Sequence, residues 1–510
     1  MKNKKEIVIL GTGLGGLLCA AILSKHQYHV TLLEKNKQLG GSLQGYGVDG
    51  MLFEPAVHYV GSFDQGQTLY KIFNYLGLID QLSLKKLNDN CFDLIKIQNK
   101  EFPLAQGYKN FIKQLAVHFP HQKEQIELFF NDVKKTCKHF PLYFLKKKSP
   151  YDKKSVLHYS LKQKLDEYLQ DKTLKNILTG NHLLFASEET TTPFYIYALI
   201  INSYIESSWK FDKGSSQLIK ALEKFIKNHH GKIVKNCNIN YIKEKDGKIE
   251  YFQNEEGIKY YADYYISNIH PSKTFEILDT AIIKKISKKR IANLPNTQAA
   301  IMVNITLNKK CIKYKNYNIH YHREENIWKD LIDMPTEANT YIPNSYGIFF
   351  YQDRHDVEYA NRLSILCYMN FDFFKKWEKT YNINTKPAQS SRSASYFKFK
   401  NDISKKIIDE VEKVIPELKK AVSKVDVCTP LTYRDYLNIP NGSMYGIKKD
   451  IHHLEQLTFS TKTKIQNLYL TAQNINMHGV LGVAITSILT SSEILGLDFL
   501  IDEINFANSK

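Results

Sequence analysis

The sequence lacks the features of small secreted proteins and of zinc proteins. Its seven cysteines lie far apart, their number is odd, and no two of them form a Cys-x-x-Cys pair. We therefore predict neither a disulfide framework nor a metal site, and we expect a reducing compartment such as the cytoplasm. The chain also has no internal repeat and no low-complexity block.

Two long stretches without charge, residues 7–24 and 465–492, could be mistaken for membrane segments. The first is rich in glycine and leads into an alternating strand pattern at residues 29–34, which a signal peptide has no reason to do. The second holds several amide side chains and His478, and burying these groups in lipid would be costly. We predict neither a signal peptide nor a transmembrane helix.

The composition is that of a globular chain. Its 510 residues are 43% hydrophobic and 24% charged, which excludes a disordered protein and allows a sizeable core. With 70 Lys and Arg against 52 Asp and Glu, the net charge is +18, which favours a membrane surface or nucleic acid as a neighbour. Because no nucleic-acid-binding motif accompanies this charge, we expect no nucleic-acid partner.

A glycine-rich motif follows the first apolar run of the chain. Residues 6–10 have the pattern of a buried parallel strand, and residues 11–16 read Gly-x-Gly-x-x-Gly before a helix-compatible stretch. In such a unit Gly11 permits a tight turn, Gly13 lets the backbone approach a pyrophosphate, and Gly16 lets helix and strand pack closely. The free N–H groups at the start of the helix would bind the phosphates. The motif predicts a dinucleotide-binding α/β domain.

The sequence after this motif separates FAD from NAD. A second strand pattern ends at Glu34, where a carboxylate can accept both ribose hydroxyls of an adenosine and would repel the 2′-phosphate of NADP. A glycine-rich loop that contains Gly40 and Gly41 comes next, whereas an NAD domain usually continues with another strand–helix unit. This paired-glycine continuation resembles the glutathione-reductase-like flavoproteins.

The dinucleotide-binding domain is predicted to be discontinuous. Residues 71–204 read mainly helical, residues 276–425 mix strand and helix patterns, and a late strand and helix follow at 467–471 and 479–495. The predicted division is 1–70, 205–275 and 426–510 for the dinucleotide domain, 71–204 for a helical substrate or lid region, and 276–425 for a substrate domain.

Three further motifs give the chain a family resemblance. Residues 53–61 are close to a Phe-Asp-x-Gly-x-His-Tyr-Ile-Gly segment of retinol saturases, residues 429–446 look like a late substrate-side motif, and residues 468–482 are similar to a C-terminal flavin motif. The chain therefore resembles the phytoene desaturase, carotenoid isomerase and retinol saturase group of FAD-dependent oxidoreductases. The resemblance implies a glutathione-reductase-like FAD-binding domain, a mixed α+β substrate domain and a helical membrane-facing region.

The sequence also departs from the pattern of the family. Ala56 and Ala472 stand where the family often has glycine, and Asn474 stands where desaturases carry an aspartate near the flavin ribityl chain. An asparagine can still bond a ribityl hydroxyl but brings no negative charge. These departures favour the saturase and isomerase branch.

The resemblance implies FAD as the cofactor and a lipophilic conjugated polyene, carotenoid-like or retinoid-like, as the substrate. Its double bonds would be saturated, desaturated or isomerised. Because the sequence has no second Gly-x-Gly-x-x-Gly, no nicotinamide domain is predicted and the electron donor is left open. The residues expected to bind the cofactor are Gly11, Thr12, Gly13, Leu14, Gly15, Gly16, Glu34, Lys35, Gly40, Gly41, Ser42, Ile239, Gln473, Asn474, Gly479 and Val480.

His58 is the candidate catalytic residue. It could act as a general acid that protonates a carbon after hydride addition, or it could bond locally and shape the cavity wall. The second interpretation is favoured, partly because a redox-neutral isomerisation needs no proton donor. His478 has the same two interpretations, and Arg434 and Asp435 are predicted to form a structural ion pair.

Residues 140–148 place aromatic and aliphatic side chains beside Lys146, Lys147 and Lys148. Such a segment could dock on an anionic membrane surface. The alternative is a helix end followed by a solvated basic turn.

Two other functions remain alternatives to a polyene enzyme. One is an amine oxidase-like flavoprotein, and the other is a non-catalytic lipid-binding or prenyl-binding protein on the same fold. The retained Gly40-Gly41 pair and the complete C-terminal flavin segment argue against the second.

Overall fold

A five-stranded parallel sheet forms the dinucleotide-binding part of the fold. The computed structural model describes residues 5–48, 50–186, 188–353, 356–382, 391–457 and 459–509. Four of the five residues in the strand Glu6–Leu10 are buried, because helices cover one face of the sheet and the strands Ile239–Lys245 and Lys248–Asn254 pack on the other. The strand order is Lys232–Val234, His29–Leu33, Glu6–Leu10, Tyr264–Ser267 and Leu468–Leu470, all paired in parallel.

Three helices pack around this sheet and bring distant parts of the chain together. The helix Leu14–Lys25 contacts both Ser216–Asn228 and Gly479–Leu495, and nearly all of its residues are buried. The sheet therefore takes its strands and covering helices from the beginning, the middle and the end of the chain. The predicted α/β class is confirmed, whereas the domain limits stay a prediction.

A seven-stranded sheet forms the second large layer. Its pairs are antiparallel except for the parallel pair Asp93–Ile97 with Asn318–His322. The helix Ala394–Glu412 packs on one face, and the helices between residues 108 and 206 pack on the other. The strand order is Val422–Cys428, Ala299–Leu307, Asp356–Met369, Ser345–Asp353, Asn318–His322, Asp93–Ile97 and Lys100–Leu104.

Smaller elements complete the described part of the chain. The remaining strands are Lys259–Tyr260, Lys248–Asn254, Ile239–Lys245 and Leu278–Asp279 in one sheet, Val60–Gly61, Ser208–Phe211 and Leu84–Lys86 in another, and the pair Tyr46–Val48 and Met51–Phe53. The remaining α-helices are Thr68–Tyr75, Tyr108–His118, Lys123–Lys138, Leu161–Tyr168, Lys172–Leu178, Phe194–Glu206, Pro271–Ile277, Lys285–Ala292, Lys329–Ile332, Leu418–Ala421, Pro430–Leu437, Leu454–Leu457 and Leu497–Phe506.

The helical prediction for residues 71–204 is incomplete. Residues 93–104 form a hairpin that extends the seven-stranded sheet, since its first strand pairs with Asn318–His322. The hairpin is stabilised by this pairing with a strand more than two hundred residues away, which local helical periodicity does not reveal.

The two uncharged stretches form strands, loops and helices inside the protein. Residues 7–24 contain most of the strand Glu6–Leu10 and the helix Leu14–Lys25, and residues 465–492 contain a strand and most of Gly479–Leu495. Within the described ranges, every helix is too short or too polar to cross a bilayer.

Replacing Gly16 by alanine should destabilise the fold by about 1–3 kcal/mol or more. An added methyl group at this position would overlap the carbonyl oxygen of Gly11. The matched control is Gly47→Ala, because no atom lies within 4 Å of a methyl group placed there. Chemical unfolding should give a lower free energy of unfolding for the first variant only. Equal losses in the two variants would contradict the close packing.

Candidate functional site

A cleft of about 390 Å³ follows the carboxyl ends of the parallel strands. Ligands bind at this edge of doubly wound sheets because the strand ends and helix N-termini meet there. Fifteen of the sixteen residues predicted to bind the cofactor line the cleft, and Gly16 lies behind it. The lining residues among them are Gly11, Thr12, Gly13, Leu14, Gly15, Glu34, Lys35, Gly40, Gly41, Ser42, Ile239, Gln473, Asn474, Gly479 and Val480.

The two glycine motifs lie against each other at one wall of the cleft. A methyl group on Gly41 would lie 3.0 Å from the Cα atom of Gly13, so this approach requires a residue without a side chain. Gly13 precedes the helix Leu14–Lys25, which has no side-chain cap. The first N–H groups of a helix without a cap are suited to bind a pyrophosphate.

Asn268 supports the glycine loop from the neighbouring strand, and the sequence reasoning missed this role. Its Oδ1 atom accepts a hydrogen bond of 2.9 Å from the backbone N–H of Gly16. A polar residue directly after the strand Tyr264–Ser267 was the available signal, because carboxyl ends of adjacent parallel strands lie together.

Glu34 is buried at the end of the strand His29–Leu33. Its carboxylate accepts hydrogen bonds from the Thr12 N–H at 3.0 Å and from the Asn36 N–H at 2.9 Å. The Thr12 hydroxyl also donates to this carboxylate, at 2.5 Å, and accepts from the N–H of Gly40 at 3.3 Å. Glu34 is thus held rigidly in the cleft wall, where its remaining lone pairs could accept hydroxyl groups.

The C-terminal segment forms the opposite end of the cleft. The side chain of Asn474 accepts a hydrogen bond of 2.9 Å from the backbone N–H of Ile447, which leaves its amide hydrogens as donors. Burial lowers the pKa of Lys449 to about 8, and its ammonium donates to the Asn474 carbonyl at 3.1 Å. The helix Gly479–Leu495 begins here without a side-chain cap, so its partial positive charge reaches the cleft.

An apolar cavity of about 110 Å³ adjoins the cleft. The two spaces share lining residues on five short segments: Ser42, Ala56, Val57, Leu437, Met444, Tyr445, Gly479 and Val480. The remaining lining comes from the seven-stranded sheet and the helical layer, for example Leu183, Met302 and Phe349. Among the described residues that line the cavity, none is Asp, Glu, Lys or Arg.

His58 is part of the wall of this cavity. Its ring stacks on Phe349 with a centroid separation of 3.9 Å, and its Nδ1 atom lies 2.6 Å from the Tyr351 hydroxyl. Burial, with a smaller contribution from Lys210, lowers the pKa of His58 to about 3. An imidazole that is neutral at pH 7 favours the wall interpretation, and the catalytic role of His58 stays a hypothesis.

His478 is held in a comparable way. Its Nε2 atom lies 2.8 Å from the Leu184 carbonyl oxygen, and its ring stacks on Tyr445 at 4.1 Å. Burial lowers the pKa of His478 to about 4. The hydrogen bond and the ring stacking both favour a structural role for His478 in the cavity wall.

A buried polar cluster behind the cavity was not predicted. Asp93 is fully buried and accepts hydrogen bonds from the Tyr59 hydroxyl at 2.8 Å and from the Asn318 amide at 3.0 Å. His320 lies 3.4 Å from the same carboxylate and lines the cavity. The signal for this cluster in the sequence was weak, since His320 and His322 simply lie two residues apart on an otherwise ordinary buried strand.

The predicted ion pair of Arg434 and Asp435 is confirmed. Arg434 Nε donates to the buried carboxylate at 2.9 Å, and Arg392 donates to it at 2.7 Å. The pair anchors the helix Pro430–Leu437, whose last turns border both the cleft and the cavity.

The apolar residues of the segment 140–148 are not exposed. Phe140 stacks on Tyr195 at 5.1 Å, and Tyr143 and Leu145 are buried. The lysines that follow are exposed, and Lys147 pairs with Asp502 at 2.6 Å. This arrangement fits a solvated basic turn and offers no apolar face of its own to a membrane.

Comparison with known proteins agrees with this geometry. Residues 9–76 match the family model described as an NAD(P)-binding Rossmann-like domain. The human all-trans-retinol 13,14-reductase is 24% identical over 97% of this chain and 86% of its own length. The 4,4′-diaponeurosporene oxygenase of Staphylococcus aureus is 21% identical over 93% of this chain and 95% of its own length. An oxidoreductase from Methanosarcina mazei has the same fold, with a TM-score of 0.62 at 15% identity over 96% of this chain and 99% of its own.

The fold, the cleft and these relatives define an oxidoreductase with a Rossmann-type dinucleotide site. Over nearly its whole length the chain is similar to retinol reductases and to an oxygenase that acts on a carotenoid, which confirms the resemblance seen in its motifs.

Lowering the pH from 7 to 5 should destabilise the protein. Burial holds the pKa of His58 and His322 at about 3 and that of His270 and His478 at about 4, below the usual 6.5. Protons then bind the unfolded chain first, so stability that is complete above pH 6.5 is lost as the pH falls. At pH 5 each such imidazole should cost about 2 kcal/mol in the free energy of unfolding.

Urea unfolding at the two pH values measures this loss. Burial raises the pKa of Glu54 to about 7 and that of Asp330 to about 6, and these two groups act in the opposite direction. The His58→Phe variant removes one imidazole. Its free energy of unfolding should therefore depend less strongly on pH, by the uptake of one proton. A dependence equal to that of the unchanged protein would refute a neutral His58.

Proposed function

We propose that the protein is an FAD-dependent oxidoreductase that acts on carbon–carbon double bonds of a lipophilic conjugated polyene. The observation that carries the proposal is the junction of the dinucleotide cleft with an uncharged cavity at the first turn of the helix Gly479–Leu495. A cofactor in the cleft would end where a substrate in the cavity begins. The names of both relatives support a polyene substrate. The name of the retinol 13,14-reductase also favours reduction over the other two reactions, whereas that of the oxygenase does not.

The residues present fit FAD. Glu34 and the backbone near Ile239 would hold the adenosine, and the glycine loop from Gly11 to Gly15 would hold the pyrophosphate. Asn474 and the helix N-terminus at Gly479 would hold the flavin end, where the partial positive charge favours a reduced, negatively charged ring. When bound, the flavin supplies hydride transfer to or from carbon.

The chain's own residues supply binding, orientation and exclusion of water. The apolar lining suits a hydrocarbon chain, and two tyrosine hydroxyls in it bond the protein: Tyr433 donates to the Pro55 carbonyl and Tyr445 to the Leu183 carbonyl, each at 2.9 Å. An unpaired charge in such a cavity would be costly, so a neutral substrate is favoured.

The same lining weakens the amine oxidase alternative. The described lining residues include neither Asp nor Glu, so a substrate ammonium ion would find no carboxylate partner there. The non-catalytic alternative predicts a colourless protein, because a lost flavin site would show no flavin absorption band even after FAD is added.

Mass spectrometry of lipophilic pigments should show the reaction directly. Cells that contain the protein should accumulate a polyene whose mass differs by two hydrogens from that in cells without it, and altered retention at equal mass would mean isomerisation. The Glu34→Lys variant should lose FAD, because ribose hydrogen bonds are replaced by a clash, and should leave the pigments unchanged.

The control for this variant is Glu223→Lys, which makes the same charge change on the outer helix Ser216–Asn228. It should keep both flavin and activity. A Glu34→Lys protein that binds flavin in full stoichiometry would remove Glu34 from the site.

We propose further that the protein associates with an anionic membrane surface through its basic residues. The net charge of +18 and the exposed Lys146, Lys147 and Lys148 support this. Replacing these three lysines by glutamine should reduce sedimentation with anionic liposomes. Replacing the exposed Lys375, Lys376 and Lys379 instead should have a smaller effect. Identical sedimentation of all three proteins would reject docking through residues 146–148.

A further inference from the structure

Three histidines, His58, His320 and His478, line the part of the apolar cavity that the cleft does not share. His58 and His320 line the cavity only, and they are 7% and 1% exposed. Both pack on Phe349, His58 by stacking at 3.9 Å and His320 edge-on at 6.3 Å between ring centroids. Two imidazoles therefore surround one aromatic ring of the cavity wall.

Each imidazole uses one ring nitrogen within the protein. His58 Nδ1 lies 2.6 Å from the Tyr351 hydroxyl, and His320 Nε2 lies 3.4 Å from the Asp93 carboxylate and from the Tyr59 hydroxyl. The second nitrogens, His58 Nε2 and His320 Nδ1, have no hydrogen-bond partner among the residues that the structure describes.

Such nitrogens are costly when buried, and other buried histidines of this chain avoid the cost. His322 bonds the Ser345 hydroxyl and the Gly180 carbonyl, at 2.8 and 2.7 Å. His182 bonds the Tyr368 hydroxyl and the Ile327 carbonyl, at 2.9 and 3.1 Å. Among these histidines the unpartnered nitrogens thus belong to the cavity wall, where the Ser443 hydroxyl also has no partner among the described residues.

The partners assign one donor and one acceptor to this pair. Burial raises the pKa of Tyr351, so its phenol keeps the proton; where that proton is given to His58 Nδ1, His58 Nε2–H is left as a donor. The Tyr59 hydroxyl gives its proton to Asp93, so His320 Nε2, which lies 3.4 Å from both the Tyr59 oxygen and the carboxylate, carries the hydrogen in a neutral imidazole. His320 Nδ1 is then an acceptor.

We propose that His58 and His320 recognise a hydroxyl group at one end of the polyene substrate. A hydroxyl can accept from His58 Nε2–H and donate to His320 Nδ1, so it satisfies both nitrogens. An ether oxygen satisfies only His58, and a hydrocarbon end satisfies neither. The inference rests on the proposed function and makes these two residues its specificity determinants.

Three probes that differ at one end test the inference: all-trans-retinol, its methyl ether, and the hydrocarbon in which CH₃ replaces CH₂OH. Fluorescence titration of the flavin-loaded protein gives a dissociation constant for each. Retinol should bind about tenfold or more tightly than the hydrocarbon, with the ether between them.

Substitutions separate the two histidines. His58→Phe should weaken binding of retinol and of the ether, and His320→Leu should weaken binding of retinol alone. Met302→Leu alters an apolar residue of the same cavity and should leave the ratio of the affinities unchanged. Should His320→Leu fail to fold because Asp93 loses a partner, His58→Phe still tests the donor.

Equal affinities of the unchanged protein for retinol and the hydrocarbon would overturn the inference and leave the proposed function intact. A preference that survives both substitutions would also overturn it. A protein that retains flavin but binds none of the probes would overturn the proposed function, and this inference with it.

Discussion

The close approach of backbone to backbone at the carboxyl edge of the parallel sheet is the constraint on which the rest of the structure depends. Gly13 meets Gly41 there, and Gly16 meets the Gly11 carbonyl. Asn268 ties the same loop to a strand from the middle of the chain. Side chains at these glycines would push the segments apart and close the space that a dinucleotide needs.

Charge is distributed so that the cavity next to this edge stays neutral. The buried Asp435 is paired with Arg434 and Arg392 behind the helix that borders the cavity, and buried Asp93 is surrounded by hydrogen-bond donors. Buried charges are tolerated when they are paired and hydrogen-bonded. A charge in direct contact with an apolar ligand would be costly. The polar framework is therefore kept one layer behind an apolar surface.

The sequence predicts features that depend on local interactions and misses features that depend on contacts between distant residues. The strand Glu6–Leu10, the helix Leu14–Lys25 and the positions of the cleft residues follow from local patterns and from the parallel topology that such patterns require. The hairpin at residues 93–104 and the contact of Asp93 with His320 depend on pairing across more than two hundred residues, which no local pattern records. Burial of the apolar residues at 140–145 is a tertiary packing effect and was equally hidden.

This difference in range explains why the sequence predicts the cofactor better than the substrate. A dinucleotide is bound largely by backbone groups, which demand glycine at fixed spacing and so leave a mark in the sequence. The cavity is lined by side chains from both large layers, and the hydroxyls of Tyr433 and Tyr445 bond protein carbonyls. Polar recognition there depends on which few buried atoms remain without a partner, and among the described lining residues these include one nitrogen each of His58 and His320 and the Ser443 hydroxyl oxygen. Specificity for one end of a substrate can thus depend on two hydrogen-bonding atoms that no sequence motif predicts.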